Sequence, residues 1–150
     1  MRALFVALAL VFSLAGPAAA SEPVPFKGTL EGVATMTFLG PTSVSVRIEG
    51  GGNASHLGRY TVEVPHLVNP QTRIGSGSYV FTAANGDTLT ATFTGQATPT
   101  ATPGVLTIEE TATITGGTGR FSGATGSFTA RRVFNQLTGV TSGSFEGRIS

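Results

Sequence analysis

From Phe26 onward, apolar residues alternate with Thr, Ser and charged residues, the period-two signature of strands with one buried and one wet face. Helical spacing is sustained nowhere in that stretch. In the first long segment Phe26, Leu30, Ala34, Met36 and Phe38 share one parity, Lys27, Thr29, Glu31, Thr35 and Thr37 share the other, and Gly40-Pro41 ends the run. Val44, Val46 and Ile48 then alternate with Ser45, Arg47 and Glu49 up to Gly50, Gly51 and Gly52, where the chain is expected to reverse. A third strand holds Tyr60, Val62 and Val64. Pro65 predicts that this strand lies at an edge, bends or stops, because proline donates no ladder hydrogen bond.

Segments 77–84 and 88–96 flank Asn85-Gly86, the dipeptide most favoured for a two-residue hairpin because both residues tolerate positive φ. In the second of these strands Leu89, Ala91 and Phe93 face one way and Thr88, Thr90, Thr92 and Thr94 the other. Residues 97–104, rich in Pro and Thr, read as a loop. Further strands are expected over 105–115, 125–134 and 138–149, joined by Gly116-Gly117-Thr118-Gly119-Arg120 and by Asn135-Gln136. About eight strands in about 130 residues match the spacing of all-β domains. Short connections make sequential strands neighbours, so the economical architecture is an eight-stranded antiparallel up-and-down β-barrel, whose closure removes both exposed edges. An open sandwich is the alternative.

The first twenty residues read differently. Arg2 gives a positive start, Ala3 to Leu14 form an apolar run, and Gly16-Pro17 precedes Ala18-Ala19-Ala20, the pattern of a signal peptide cleaved after Ala20. The expected organisation is therefore a signal at 1–20 and one domain at 21–150, secreted or periplasmic. The apolar run is shorter than the roughly 20 residues of a spanning helix. With no cysteine in the chain, disulfides and a lipidated cysteine are both excluded.

Without Arg2 the chain has eight Lys and Arg against eight Asp and Glu, so its formal charge is zero. That balance gives no attraction to nucleic acid or anionic lipid. The one basic doublet, Arg131-Arg132, places its members on opposite faces of a strand.

The run from Ile114 to Ser127, with Gly116, Gly117, Gly119 and Phe121 at its turn, is followed by a strand and then by Gly143-Ser144-Phe145-Glu146-Gly147. It resembles the glycine-rich hairpin between two late strands of the eight-stranded allene oxide cyclase and dirigent-type barrels. The likeness extends to small secreted bacterial proteins of that barrel type, which carry a segment like His56 to Thr61. Physically, these glycines permit a tight turn and Phe121 plugs a barrel end, so the motif speaks for fold more than for chemistry. No catalytic residue carries over, because positions outside the hairpin do not match one by one.

One anomaly of parity points to a site. Glu110 shares the apolar face of Leu106, Ile108, Ala112 and Ile114, and Arg132 shares that of Phe128, Ala130 and Phe134. Unpaired buried charges cost several kcal/mol each, so the two are expected to meet across adjacent strands. Direct pairing centres the hairpin on Phe121 and sets Ile114 opposite Phe128, whereas a tight turn centred on Thr118 would separate the charges. Such a pair either orients a small ligand in the barrel or fixes register, and a one-residue bulge would instead send both groups to solvent. Tyr60 shares the parity of Val62 and Val64, as does His56 if the strand starts early enough, and Phe93 joins them in the expected interior.

Other chemistries find no support. Ser55, His56 and Asp87 lack nucleophile-elbow spacing. His56 and His66 lack paired metal-ligand spacing. Gly117-Thr118-Gly119 is followed by Ser122 where a dinucleotide fingerprint needs its third glycine. Asn53-Ala54-Ser55 is a glycosylation sequon in a eukaryotic setting. The expectation is a non-enzymatic barrel holding a small apolar or phenolic molecule, with no catalytic residue, metal or cofactor, no nucleic-acid partner and no stable membrane insertion. The alternative, implied by the resemblance, is an isomerase, cyclase or dirigent-type guide that holds a reactive intermediate. An outer-membrane barrel has the same ingredients, but the absence of Trp and the presence of only two Tyr leave its aromatic girdles unbuilt.

Overall fold

The computed structural model describes residues 21–150, and the expected signal segment lies outside them. Eight antiparallel strands close into one up-and-down barrel in the order β1-β2-β3-β4-β5-β6-β7-β8. They are β1 (Val24–Gly40), β2 (Ser43–Ala54), β3 (Gly58–Asn69), β4 (Ile74–Ala83), β5 (Thr88–Pro99), β6 (Val105–Gly117), β7 (Gly126–Asn135) and β8 (Val140–Ile149). Pairing of β1 with β8, from Val24 opposite Ile149 to Val33 opposite Val140, completes the cylinder. The sandwich alternative is thereby excluded.

Several strands run further than the sequence suggests: β4 starts at Ile74, β5 continues to Pro99 so that the expected loop at 97–104 shrinks to 100–104, and β6 takes in Gly116 and Gly117. The cluster Gly50 to Gly52 stays in β2 instead of reversing the chain, and the reversal comes at His56 (φ 64°) and Gly58 (φ 63°). Glycine is needed there for proximity: a Cβ on Gly52 would collide with the Thr29 carbonyl and lie 3.1 Å from the Tyr60 hydroxyl. Nor does Pro65 end β3, which pairs on both sides. Proline sits opposite Arg47 on β2, while the β4 ladder steps from Glu63 opposite Val80 to His66 opposite Gly77, skipping Val64 and Pro65, the second of which has no N–H.

Inward positions differ sharply between the two ends. Toward the end where β1 begins at Val24 and β8 finishes at Ile149 they are aromatic: Phe26, Tyr60, Phe81, Phe128 and Phe145 interlock with centroid separations of 5.1–6.3 Å. Leu57, Phe121 and Ile149 are buried there as well and close that end. Phe121 belongs to a single 3-10 turn, Gly119–Phe121, between β6 and β7. It fills the end as expected, and Gly117 makes room for it, since a Cβ there would lie 2.8 Å from that of Phe121 and collide with the Thr88 carbonyl. Gly116 (φ 139°) and Gly119 (φ 59°) supply the backbone conformations of the turn.

At the opposite end, where β1–β2, β3–β4, β5–β6 and β7–β8 turn, most inward positions are small or aliphatic. Ala34, Val44, Val46, Val68, Gly75, Ala97 and Ile108 leave the barrel open. Met36 and Phe38 keep the inward parity of β1 but stand beyond the filled core and are exposed.

Candidate functional site

The open end holds a cavity of ≈ 180 Å³ whose walls include Ala34, Val46, Val68, Ala97, Ile108 and Phe134, with His66, Arg73, Arg132 and Gln136 as its polar members. A smaller recess of ≈ 40 Å³ deepens it toward Phe93, Gly95 and Glu110. The floor is a buried polar network. Arg132 donates from Nε to Glu110 Oε1 at 2.9 Å and from Nη2 to Glu110 Oε2 at 3.0 Å, a bidentate ion pair in which both residues are almost wholly buried. Tyr79 donates its hydroxyl to Glu110 Oε1 at 2.5 Å. Arg132 Nη1 donates to Thr141 Oγ1 at 2.8 Å, and that hydroxyl donates in turn to the Val133 carbonyl at 3.1 Å. Among the described residues no buried side-chain nitrogen or oxygen lacks a partner.

The pair meets, but not by direct opposition. Glu110 faces Ala130 and Arg132 faces Ile108, so Ala112, not Ile114, lies opposite Phe128. This register is two residues away from direct pairing. Both side chains keep the same face, and a diagonal neighbour is within reach of a long arginine. Glycines clear the space. Gly95 lies directly opposite Glu110 and Gly143 opposite Arg132. A Cβ on Gly95 would sit 2.7 Å from Glu110 Cγ.

The remaining candidates separate. Phe93 is buried beside the recess, with the His66 ring edge-on at 5.5 Å. Tyr60 is buried and inward as expected, yet it lies in the aromatic half, donating to the Thr29 carbonyl at 2.5 Å and packed on Phe81 and Phe145. Burial raises its pKa. His56 is corrected: β3 begins only at Gly58, so His56 sits on the exposed turn with Nε2 3.0 Å from the Pro25 carbonyl, at the far end from the cavity. Sequence reasoning missed Tyr79, Thr141, Arg73 and, as a cavity residue, His66. Parity alone would have found His66, two places beyond Val64. Tyr79 shares the parity of Phe81, but the register that brings it to Glu110 has no local signal.

Electrostatics favour a fixed network over an acid–base pair. Burial and then the charge of Glu110 hold the Tyr79 hydroxyl well above its ordinary pKa of 10.0, so it serves as a hydrogen-bond donor and not as a proton source. For Arg132, burial opposes the charge, but the hydrogen bonds and attraction of Glu110 outweigh it and its pKa is raised. Burial lowers His66 below its ordinary 6.5 even though its Nδ1 lies 2.9 Å from the Val64 carbonyl. The groups facing it are Glu110, Arg132 and Arg73.

This depression has a consequence for stability. Below pH 6.5 the unfolded chain takes up a proton at His66 that the folded chain resists, so stability declines as pH falls from that value toward the depressed folded pKa. Urea midpoints measured at pH 7.5 and 5.5 are expected to differ more for the native chain than for His66→Gln. Equal differences would show that His66 bears no such cost.

Among the described residues no group of three or more His, Cys, Asp or Glu is placed to hold a metal ion. Comparison with known proteins gives no match to any family model, any curated protein or any solved structure.

Proposed function

We propose that the barrel binds one small molecule with an apolar or phenolic body and an acidic end, held in the open mouth without being transformed. The observation that carries this reading is the cavity itself, walled by aliphatic side chains with a few convergent polar groups, the usual composition of a ligand site. Its charge adds the acidic end. Glu110 is matched by Arg132, whereas Arg73 on the rim makes no ion pair among the described residues. One positive charge is therefore left for a ligand.

Size bounds the occupant. A cavity of ≈ 180 Å³ lies below the roughly 300–1,000 Å³ of drug-sized sites, which suits a single-ring compound. The glycine hairpin, with its resemblance to the allene oxide cyclase and dirigent-type barrels, supports the idea of a barrel that holds a small organic molecule. It also supplies the competing reading, a cyclase or guide protein. The network argues against proton transfer by Tyr79, so the binding reading is preferred.

The test is calorimetric titration with 4-hydroxycinnamate and with its methyl ester. Saturable binding of the acid is expected, weakened on the order of tenfold in the ester and in Arg73→Gln, since a charge-assisted hydrogen bond contributes about 1.5 kcal/mol. Ala97→Phe, which fills the mouth, should abolish it. Binding undiminished by Ala97→Phe would place the ligand elsewhere, and turnover of a bound compound would favour the enzyme.

A further inference from the structure

We infer that the open end of the barrel docks on a lipid surface, with its hairpin tips seated among the headgroups and the mouth facing the bilayer. The inference goes beyond ligand binding: it rests on the exposed apolar tips, and shares Arg73 and Phe38 with the walls of the cavity.

Exposed large apolar side chains are distributed unevenly. Among the described residues Val24 stands at the closed end, and the others belong to the open half of the barrel. Phe38 (74% exposed) and Leu39 (62%) form the β1–β2 tip and Leu137 (81%) the β7–β8 tip. Leu67 and Ile74 flank the β3–β4 turn. Exposed apolar side chains on three of the four tips around a cavity mouth are not the scattered exposure of an ordinary surface.

Charge is distributed in the opposite sense. Residues 36–45, 66–77, 95–107 and 133–142, which make the four tips, contain no acid and one fixed cation, Arg73. Acidic groups lie elsewhere: Glu22, Asp87 and Glu146 are toward the closed end, Glu31 is exposed along β1, Glu49, Glu63 and Glu109 are on the outer wall, paired with Arg47 and Arg131, and Glu110 is buried against Arg132. Those wall ion pairs keep the cylinder itself in water. Only the tips are suited to the interface.

The form of the surface selects lipid over protein. Its apolar side chains sit on separate projections divided by polar and proline residues such as Pro41, Asn69 and Pro70. A protein partner requires a continuous, matched patch. Headgroups accept apolar side chains one at a time, and an anionic lipid phosphate complements the unpaired Arg73.

Flotation with phosphatidylcholine vesicles, with and without phosphatidylglycerol, tests the inference on the chain from Ser21. The native protein is expected to float with both, more strongly with the anionic lipid. Phe38→Ser combined with Leu39→Ser should lower the apparent partition on the order of tenfold. Arg73→Gln should remove the preference for phosphatidylglycerol, while Val24→Ser at the closed end changes nothing. Thermal unfolding of the double variant should match the native protein, which keeps a loss of flotation from being a loss of fold. Docking is overturned if the native chain stays at the bottom of both gradients, if Val24→Ser reduces flotation equally, or if the double variant instead dissolves a dimer of the native chain. Failure to bind 4-hydroxycinnamate would leave flotation unaffected, so the two proposals fail separately.

Discussion

Arg132→Met is expected to remove about 3–5 kcal/mol of folding stability, whereas Arg131→Met, one residue away, changes it by less than about 0.5 kcal/mol. The difference is burial. Arg132 is 4% exposed and holds both oxygens of Glu110, while Arg131 reaches Glu109 on the outer wall, where water and salt screen the pair. Removing Arg132 strands a carboxylate in the barrel, with only the Tyr79 hydroxyl as a remaining side-chain donor. The double variant Glu110→Leu with Arg132→Met should recover part of the loss, because it removes both buried charges while leaving the buried Tyr79 hydroxyl without its acceptor. Denaturant midpoints for the four proteins decide the matter. Equal midpoints for Arg132→Met and Arg131→Met would refute the inward ion pair.

Phe81→Ala should be as damaging, at about 3–5 kcal/mol, and Phe38→Ala nearly silent, within about 0.5 kcal/mol. Phe81 is fully buried and touches Phe26, Tyr60, Tyr79, Phe128 and Phe145, so truncation leaves a hole that five rings border. Phe38 projects from the β1–β2 tip. Both residues obey the inward parity of their strands, and the sequence gives no reason to rank them. Urea unfolding of the two variants provides the measurement, and a similar loss for both would mean that the mouth is closed over Phe38 in solution.

These pairs show where reading the chain succeeds. Alternation identified every strand, and the shared parity of Glu110 and Arg132 with their apolar neighbours pointed to a buried pair; Asn85-Gly86 lies in the turn between β4 and β5, but that turn spans 84–87 and only Gly86 takes a positive φ (91°), so the two-residue form does not occur. Each of these features depends on neighbours within a few residues, or on the energetic cost of an unpaired buried charge. The misjudged glycines and Pro65 share one cause. Gly50 to Gly52 look like a turn because glycine permits one, but the demand that fixes them is the approach of Thr29, Glu31 and Tyr60 from the adjoining strands.

The candidate site was half legible. Its ion pair and Phe93 followed from parity, while Tyr79, Thr141 and Arg73 join it only because β4, β8 and the β3–β4 turn are brought to the same level of the barrel as β6 and β7.

By itself, then, the sequence determined the strands, their inner and outer faces and the charge balance that obliges a buried Glu110 to find a cation. The tertiary structure decided the diagonal register of that pair, the union with Tyr79 and Thr141, and the division of the interior into a filled aromatic half and an open mouth. The physical reason is that a side chain's face repeats every two residues along its own strand, whereas its height in a closed barrel is set by the stagger accumulated around all eight strands.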